Sequence, residues 1–249
     1  MYESDMSATS SSQPPAKVDV WSWSLDVPDG EFEELAAFLN LDEKARAAGF
    51  FNRTHARHWT VCRGRVRQLL GRETGISPAE IEFAEEEFGR PFLVPDSPTV
   101  PLFNLSHTDG LAALAISYDV RVGVDIETIQ TLRDDEMEWP LSPAERETLG
   151  KAPEAERHDV FFRFWTLKEA FIKAVGKGVS LPLEDFDMSG PEDGQPRLLR
   201  LAGEPREPDH WKFSEHRLRS DTFAAVAARV NSGELVVNWH PLGQFPNPV

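Results

Sequence analysis

Apolar residues recur at every second position in a series of short segments, a pattern typical of strands with one buried face. In KVDVWSWSLDV (17–27), Val18 and Val20 alternate with polar residues, and two Trp-Ser pairs follow. Further strands are predicted at 81–94, with a turn at Gly89, and at 101–105, 111–117, 121–126, 197–201, 210–218, 222–230 and 234–240. The strands come in runs, and helices separate the runs.

Apolar residues at helical spacing predict helices in the segments between these runs. Short helices are expected at 31–39 and 42–48, and a longer one at roughly 54–71. A longer helix is expected at 156–175, ending at Gly176, because glycine readily adopts the left-handed conformation that closes many helices. SPAERETL (142–149) begins another helix with a capping box, since Ser142 is followed three positions later by Glu145.

The long helix has charged residues in the middle of an apolar sequence, FFRFWTLKEAFIKAVG (161–176). Its apolar stripe consists of Val160, Phe164, Leu167, Phe171 and Val175. Glu169 and Lys173 lie together on the opposite face, where they could form an ordinary i,i+4 pair. Lys168 falls within the apolar arc, so it must either extend to solvent or reach a buried anion.

The order of elements indicates an α+β protein with two lobes of similar size. The predicted lobes span 17–120 and 121–249, and a Ser- and Pro-rich tail at 1–16 is expected to be disordered. Blocks of helices and runs of strands argue against a doubly wound parallel sheet. The sequence itself shows no repeat strong enough to prove a duplication.

Composition and charge exclude several classes of protein. The chain has 249 residues, 40% of them hydrophobic, and a net charge of −16, which argues against general nucleic-acid binding. Cys62 is the single cysteine, so no internal disulfide is expected. No apolar stretch approaches the roughly 20 residues of a membrane span. The tail also lacks the features of a signal peptide. We therefore expect a cytoplasmic protein that binds neither nucleic acid nor membrane. The length and the apparent pairing of two halves favour a monomer.

One stretch of the chain departs from this acidic balance. Between Lys44 and Arg72 there are eight Lys or Arg residues and no Asp or Glu. The stretch is consistent with a site for a small anion such as a phosphorylated ligand, and equally with a solvated helix face.

Two carboxylates mark a candidate metal site in VGVDIE (122–127). Alternation along the strand places Asp125 and Glu127 on the same face. Mg²⁺ commonly takes one or two protein carboxylates and completes its shell with water and substrate phosphates. Glu169 would join the pair if the long helix packs across this strand. The motif is weak alone, because many exposed strands contain it.

Candidate phosphate ligands lie nearby in the sequence. PLFNLSHTDG (101–110) reads as a strand that ends in Ser106 and His107, and FGRP (88–91) places Arg90 at a turn. A hydroxyl, an imidazole and a guanidinium could each bind phosphate. A Ser-His-Asp triad is not indicated, because the chain has no G-x-S-x-G motif.

FGRP, FNLSH, GVDIE and FWTLKEAFIKAVGKGVSLPL occur in this order and at family-like separations. Together they resemble the 4′-phosphopantetheinyl transferases, in particular the larger Sfp-type members that activate peptide, polyketide and related synthases. The resemblance covers roughly 40–190. Its most specific part is the combination of G-x-D-x-E with W-x-x-K-E-x-x-x-K about 40 residues later.

The resemblance implies a fold of two similar α+β lobes related by a pseudo-twofold axis, with the active site in the cleft between them. It implies transfer of 4′-phosphopantetheine from coenzyme A to a serine of an apo acyl or peptidyl carrier protein, with release of adenosine 3′,5′-bisphosphate. By the same resemblance, Asp125, Glu127 and Glu169 would hold Mg²⁺. Glu169 would also deprotonate the serine, and Lys173 would bind the pyrophosphate.

The resemblance further implies contacts to the nucleotide and its 3′-phosphate from Lys44, Arg90, Ser106 and His107, and a supporting phosphate contact from Lys168. Ala47 departs from the family, which often has a second basic residue there. Glu145 matches a family glutamate near the site, and its role as a capping-box residue is an equally good interpretation.

Two alternatives stay open at this point. A Mg²⁺-dependent hydrolase of CoA or of a nucleotide diphosphate would need the metal site but no carrier protein. A binding protein without activity would have little use for three convergent carboxylates, which repel one another.

Overall fold

The computed structural model describes residues 14–95, 97, 99–176 and 181–245. The first lobe contains β1 (Ala16–Ser24), α1 (Asp29–Ala37), α2 (Leu41–Ala48), α3 (Arg53–Thr74), β2 (Glu82–Glu85), β3 (Pro91–Val94), β4 (Leu102–Thr108) and β5 (Leu111–Ser117). The second contains β6 (Val122–Thr128), α4 (Asp134–Glu138), α5 (Pro143–Lys151), α6 (Arg157–Val175), β7 (Phe186–Met188), β8 (Leu198–Leu201), β9 (Trp211–Arg219) and β10 (Thr222–Arg229). A last strand, β11 (Leu235–Trp239), follows.

The two lobes repeat one topology. Each has a strand, three helices, a short two-stranded hairpin and then two long antiparallel strands. The main sheets have the orders β11-β1-β5-β4 and β6-β10-β9, so in each lobe the first strand pairs with the last strand of the repeat, β5 or β10. This repeat, which the sequence did not reveal, agrees with the predicted α+β fold of two similar lobes.

The C-terminal strand departs from the predicted division into lobes. β11 pairs in parallel with β1, on the edge that β5 leaves open. The sequence predicts the segment from 234 onward within the second lobe, but β11 completes the sheet of the first. β1 also begins at Ala16, which the sequence placed in the tail, while residues 1–13 lie outside the described part of the chain.

The main sheets pack face to face, with the long helices on the outside. Even-numbered residues of β1 and β6, including Val18, Val20, Val124 and Ile126, form the apolar core between the sheets. Odd-numbered residues face the helices, so Trp21 and Trp23 pack in a core with α3. α6 packs against β6 and β10 in the second lobe. No described helix is both long and apolar enough to cross a membrane.

The sequence located most elements and missed some short ones. α6 ends as predicted, with Gly176 in the left-handed conformation (φ 76°). Ser142 and Glu145 form the predicted capping box of α5. The prediction omitted α4 and the short strand β7, because five and three residues carry too little periodicity to be read from sequence.

Candidate active site

The alternation of β6 brings its acidic residues to α6. Gly123, Asp125 and Glu127 lie on the face opposite the core between the sheets. A Cβ on Gly123 would lie 2.1 Å from the carbonyl oxygen of Ala170, so the backbone of α6 rests directly on this strand. Glycine is required here by close approach, and the approach brings Lys173 to Asp125.

The outer edge of β6 is held by side chains of β4. Three N–H groups of β6 donate to three polar side chains of β4: Val124 N to Asn104 Oδ1 at 2.8 Å, Ile126 N to Ser106 Oγ at 3.3 Å, and Thr128 N to Thr108 Oγ1 at 3.3 Å. Every second residue of FNLSHT thus contributes a polar side chain to a ladder between the lobes. The ladder gives hydrogen-bond partners to backbone N–H groups at the edge of β6 that would otherwise lack them. The ladder fixes the position of the carboxylates on β6.

Asp125, Glu127, Glu169 and Lys173 form a cluster between β6 and α6. Asp125 is its buried centre, with 3% of its surface exposed. Its Oδ1 accepts from Lys173 Nζ at 2.6 Å and from Ser106 Oγ at 2.8 Å. Its Oδ2 is buried and has no hydrogen-bond partner among the residues that the structure describes. Burial raises the pKa of Asp125, and the charge of Lys173 opposes that rise. An unpaired buried carboxylate oxygen is costly unless a cation or donor can reach it.

Glu127 lies at the more open end of the strand. Its two oxygens accept from Trp165 Nε1 at 3.0 Å and from Thr108 Oγ1 at 3.4 Å. Burial, followed by the charge of Asp125, raises the pKa of Glu127 to about 7. Trp165 therefore connects α6 to the carboxylate cluster, a role that the sequence did not predict although the tryptophan is part of the quoted motif.

A cavity of about 710 Å³ opens beside the cluster. Glu169 and Lys173 line it from α6. Its other charged lining residues are Arg90, Arg146 and Glu184, and its larger apolar ones include Phe88, Trp139, Trp165 and Ile172. Burial and the charge of Asp125 both raise the pKa of Glu169. The cavity thus combines apolar surface, cationic side chains and a carboxyl group with a raised pKa.

Arg90 lies on the cavity wall as a brace between the lobes. Its guanidinium donates to the carbonyls of Lys173 at 2.7 Å, Val122 at 2.7 Å and Phe103 at 2.8 Å. Burial, with the charge of Arg121, lowers its pKa to about 10. These bonds use three of its five N–H groups, so that within the described residues the N–H of Nε and one N–H of Nη1 are left for a ligand.

The other predicted ligands differ in their surroundings. His107 is exposed as a residue, yet desolvation of its ring and the nearby charge of Lys173 lower its pKa. Ser106 is buried within the cluster, where its hydroxyl contacts both Asp125 and Lys173. Lys44 is exposed on α2, and it is not among the described residues that line the cavity.

Lys168 lies away from the cluster. Its ammonium is fully buried and donates to Glu145 Oε2 at 2.7 Å and to the carbonyl of Phe186 at 2.9 Å. The expected phosphate contact of Lys168 does not fit this position, because the side chain reaches a buried anion of its own lobe. Glu145 is likewise part of this buried pair, which supports its capping interpretation over a catalytic one.

The basic stretch on α2 and α3 is largely neutralised within the first lobe. Four arginines pair with acidic residues of α1 and α2: Arg57 with Asp29, Arg65 with Glu31, and both Arg63 and Arg67 with Glu43. These pairs hold α3 to its neighbouring helices, so the four arginines are unavailable to an anionic ligand. Lys44, Arg46 and Arg53 are the exposed cations of the stretch nearest the start of α3.

The carboxylate oxygens of Asp125, Glu127 and Glu169 are chemically suited to a divalent cation, although they do not surround a single metal position. Within 14–95, 97, 99–176 and 181–245, no three His, Cys, Asp or Glu side chains are arranged as metal ligands. The ammonium of Lys173 bonds Asp125 instead. However, the unpaired Oδ2 of Asp125 is a free hard donor, and the charge of Asp125 acts on both Glu127 and Glu169. One or two carboxylates suffice for Mg²⁺.

Comparison with known proteins identifies the family. A family model described as the 4′-phosphopantetheinyl transferase superfamily matches residues 121–228, and one described as the N-terminal part of 4′-phosphopantetheinyl transferase matches 22–119. The 4′-phosphopantetheinyl transferase HetI of Nostoc is 36% identical over 70% of this chain and 74% of the relative. The chain belongs to the 4′-phosphopantetheinyl transferase superfamily.

Other members of the superfamily are similarly related. The 4′-phosphopantetheinyl transferase ffp of Bacillus subtilis is 31% identical over 66% of this chain and 72% of its own. The L-aminoadipate-semialdehyde dehydrogenase-phosphopantetheinyl transferase of Pongo abelii is 32% identical over 78% of this chain and 68% of its own. The two matched family ranges meet between β5 and β6, where the repeated topology changes from one lobe to the next.

Proposed function

We propose that this transferase moves 4′-phosphopantetheine from coenzyme A to a serine of an apo acyl or peptidyl carrier protein, with Mg²⁺ as cofactor. The observation that carries the proposal is the unpaired, buried Oδ2 of Asp125. It lies beside Lys173 and close enough to Glu169 for its charge to raise the pKa of that residue, and both line the cavity. Family membership supplies the substrates.

Asp125, Glu127 and Glu169 would hold the Mg²⁺ ion. When bound, the ion would neutralise charge on the pyrophosphate oxygens and orient the leaving group. Lys173 would bind the same phosphate through its ammonium, which is partly exposed and now bonded to Asp125. A fixed cation at developing negative charge lowers the barrier without reorganisation of solvent.

Glu169 would accept the proton of the incoming serine, directly or through a water molecule. The bond formed joins the serine oxygen to the β-phosphorus of coenzyme A. The bond broken joins that phosphorus to the bridging oxygen, and adenosine 3′,5′-bisphosphate leaves with the bond's electron pair. A carboxyl group with a raised pKa suits this role, because a general base works best with a pKa near the working pH.

The nucleotide half of coenzyme A is assigned to the first lobe's side of the cavity. His107 is exposed beside Lys173, and Arg90 retains the N–H of Nε and one N–H of Nη1. Lys44 would reach the 3′-phosphate from α2, and the exposed Arg46 or Arg53 could replace the basic residue missing at Ala47. Ser106 would act through Lys173, which its hydroxyl contacts at 2.8 Å. We expect the enzyme to act as a monomer.

Intact-protein mass spectrometry tests the proposal. An apo carrier protein would be incubated with the enzyme, coenzyme A and Mg²⁺, with EDTA in a parallel sample. We expect the carrier to gain one phosphopantetheine, and the gain to disappear with EDTA. Consumption of coenzyme A without a carrier product would indicate a hydrolase instead. Intact coenzyme A and unchanged acyl and peptidyl carriers would contradict the proposed transfer.

A further inference from the structure

The Lys168–Glu145 pair is buried, and both of its side chains make several polar contacts. The two side chains are 0% and 1% exposed, and their charged atoms are 2.7 Å apart. Glu145 also accepts from the backbone N–H groups of Ser142 at 2.9 Å and Met188 at 2.8 Å. Lys168 also donates to Phe186 O, and its ammonium lies 4.2 Å from the centre of that ring. The pair thereby joins α5, α6 and β7.

The first lobe contains the same arrangement. Glu43 occupies the third position of α2 in a capping box, as Glu145 does in α5. Its carboxylate binds Arg67 of α3 at 2.8 Å, and Arg67 is 1% exposed. Arg67 donates to the carbonyls of Pro78 and Ile81, just before hairpin strand β2. Each lobe thus uses a capping glutamate to hold a buried cation of its long helix against its hairpin.

A buried pair of this kind restricts how a helix can rotate. An unpaired ammonium in the protein interior is strongly unfavourable, so α6 has a favourable orientation only where Lys168 meets Glu145. Consecutive helical residues are about 100° apart, so this orientation also fixes the direction of Glu169. Trp165 lies three residues earlier and bonds Glu127. In the first lobe, the corresponding helix α3 contributes no residue to the carboxylate cluster.

We propose that Lys168 and Glu145 are positioning residues, which set the rotation of α6 so that Glu169, Lys173 and Trp165 meet the carboxylates of β6. Glu43 and Arg67 serve the architecture of the first lobe alone. The inference deepens the proposed function and rests on it for the catalytic consequence. Its structural part, the Trp165–Glu127 bond, can be measured without substrate or metal.

Paired double variants test this inference. Lys168→Met/Glu145→Gln removes the charges in the second lobe, and Arg67→Met/Glu43→Gln is the matched control in the first. The indole N–H of Trp165, assigned in ¹H–¹⁵N spectra by comparison with Trp165→Phe, reports the bond to Glu127. We expect this resonance to move in the second-lobe variant and to stay unchanged in the control. Thermal midpoints do not decide the question, because replacing both members of a buried ion pair is often neutral or even stabilising.

An unchanged Trp165 resonance in a folded second-lobe variant would overturn the inference and leave the pair a stability element only. If that double variant does not fold, Lys168→Arg keeps the charge with a larger head group, and the same shift is expected of it. In the transfer assay, kcat of the second-lobe variant should fall roughly 10–100-fold with a smaller change in KM, as for residues that orient metal ligands. A wild-type protein without transfer activity would refute the proposed function but leave the spectroscopic result valid.

Discussion

The three carboxyl groups of the cluster lie in surroundings that disfavour their charged forms. Asp125 and Glu169 have raised pKa values mainly because they are buried, and Glu127 has a pKa of about 7 for the same reason and because Asp125 is near. Only Lys173 is bonded to a carboxylate of the cluster as a counter-charge among the described residues. Strongly shifted carboxyl groups beside a cavity are typical of functional sites.

Glu127 should make stability depend on pH in metal-free protein. Its pKa rises from an ordinary 4.5 to about 7 on folding, so its contribution is present below pH 4.5 and lost as the pH rises through 7. The amide of Glu127→Gln cannot ionise, so the stability of this variant does not fall with the ionisation of that residue. We expect its free energy of unfolding, relative to that of wild type, to rise by roughly 2–3 kcal/mol between pH 5 and pH 8. Urea unfolding in EDTA at several pH values measures this gain, and a difference independent of pH would contradict the prediction.

At the same scale, the sequence identified the cluster but not the surroundings that tune it. The motifs predict Asp125, Glu127, Glu169 and Lys173 as site residues, and the four are close together in the structure. The motif lysine also predicts a phosphate contact for Lys168. Its true partner, Glu145, lies 23 residues away in another helix, and the capping box gave no sign that its carboxylate also binds a lysine.

Among the elements, β6 and α6 determine the site through their close packing. Gly123 allows this approach, because any side chain there would collide with the backbone of α6 at Ala170 and Ala174. The helix cannot shift without moving Lys173 from Asp125.

Gly123→Ala should therefore destabilise the protein and disturb the cluster together. We expect the free energy of unfolding to fall by about 1–3 kcal/mol, the usual effect of overpacking. Gly150→Ala in α5 is the control, because a Cβ there meets nothing within 4 Å and alanine favours the helix. Denaturant unfolding and the Trp165 resonance would measure both effects. Equal stability of the two variants would contradict the account of the packing.

The ladder from β4 to β6 shows what local patterns cannot reveal about elements. Alternation in FNLSHT correctly predicted a strand, and a phosphate role was inferred for Ser106. The structure adds that Asn104, Ser106 and Thr108 serve the edge of a strand about 20 residues later. Such pairing depends on how two lobes meet, and periodicity within one strand carries no information about it.

Across the whole molecule, the repeated lobes are not equivalent at their outer edges. β4 reaches the edge of β6 through side chains, whereas the edge of β1 pairs with β11. The helix-facing side of β1 has Trp21 and Trp23 where β6 has carboxylates. His240 stacks on Trp21, with ring centres 3.5 Å apart. These differences explain why one lobe presents the carboxylate cluster and the other a closed aromatic surface.

Removal of residues 234–249 should therefore damage the first lobe, although the segment lies at the opposite end of the chain. The deletion exposes the edge of β1 and the face of Trp21, and exposed edges promote association. We expect a lower thermal midpoint and concentration-dependent aggregation by light scattering. Unchanged stability and a monodisperse sample would show that β11 is dispensable for the sheet.

The central claim is that the cluster on β6 and α6 performs the transfer, and Glu169 tests it most directly. Glu169 and Glu184 line the same cavity, so Glu169→Gln and Glu184→Gln change its charge equally. The measurement is the single-turnover rate at which an apo carrier gains phosphopantetheine, followed by intact mass with saturating coenzyme A and Mg²⁺. Glu169→Gln should slow transfer by about 10²–10⁴-fold, while Glu184→Gln stays close to wild type. A Glu169→Gln enzyme as fast as the Glu184→Gln control would contradict the account.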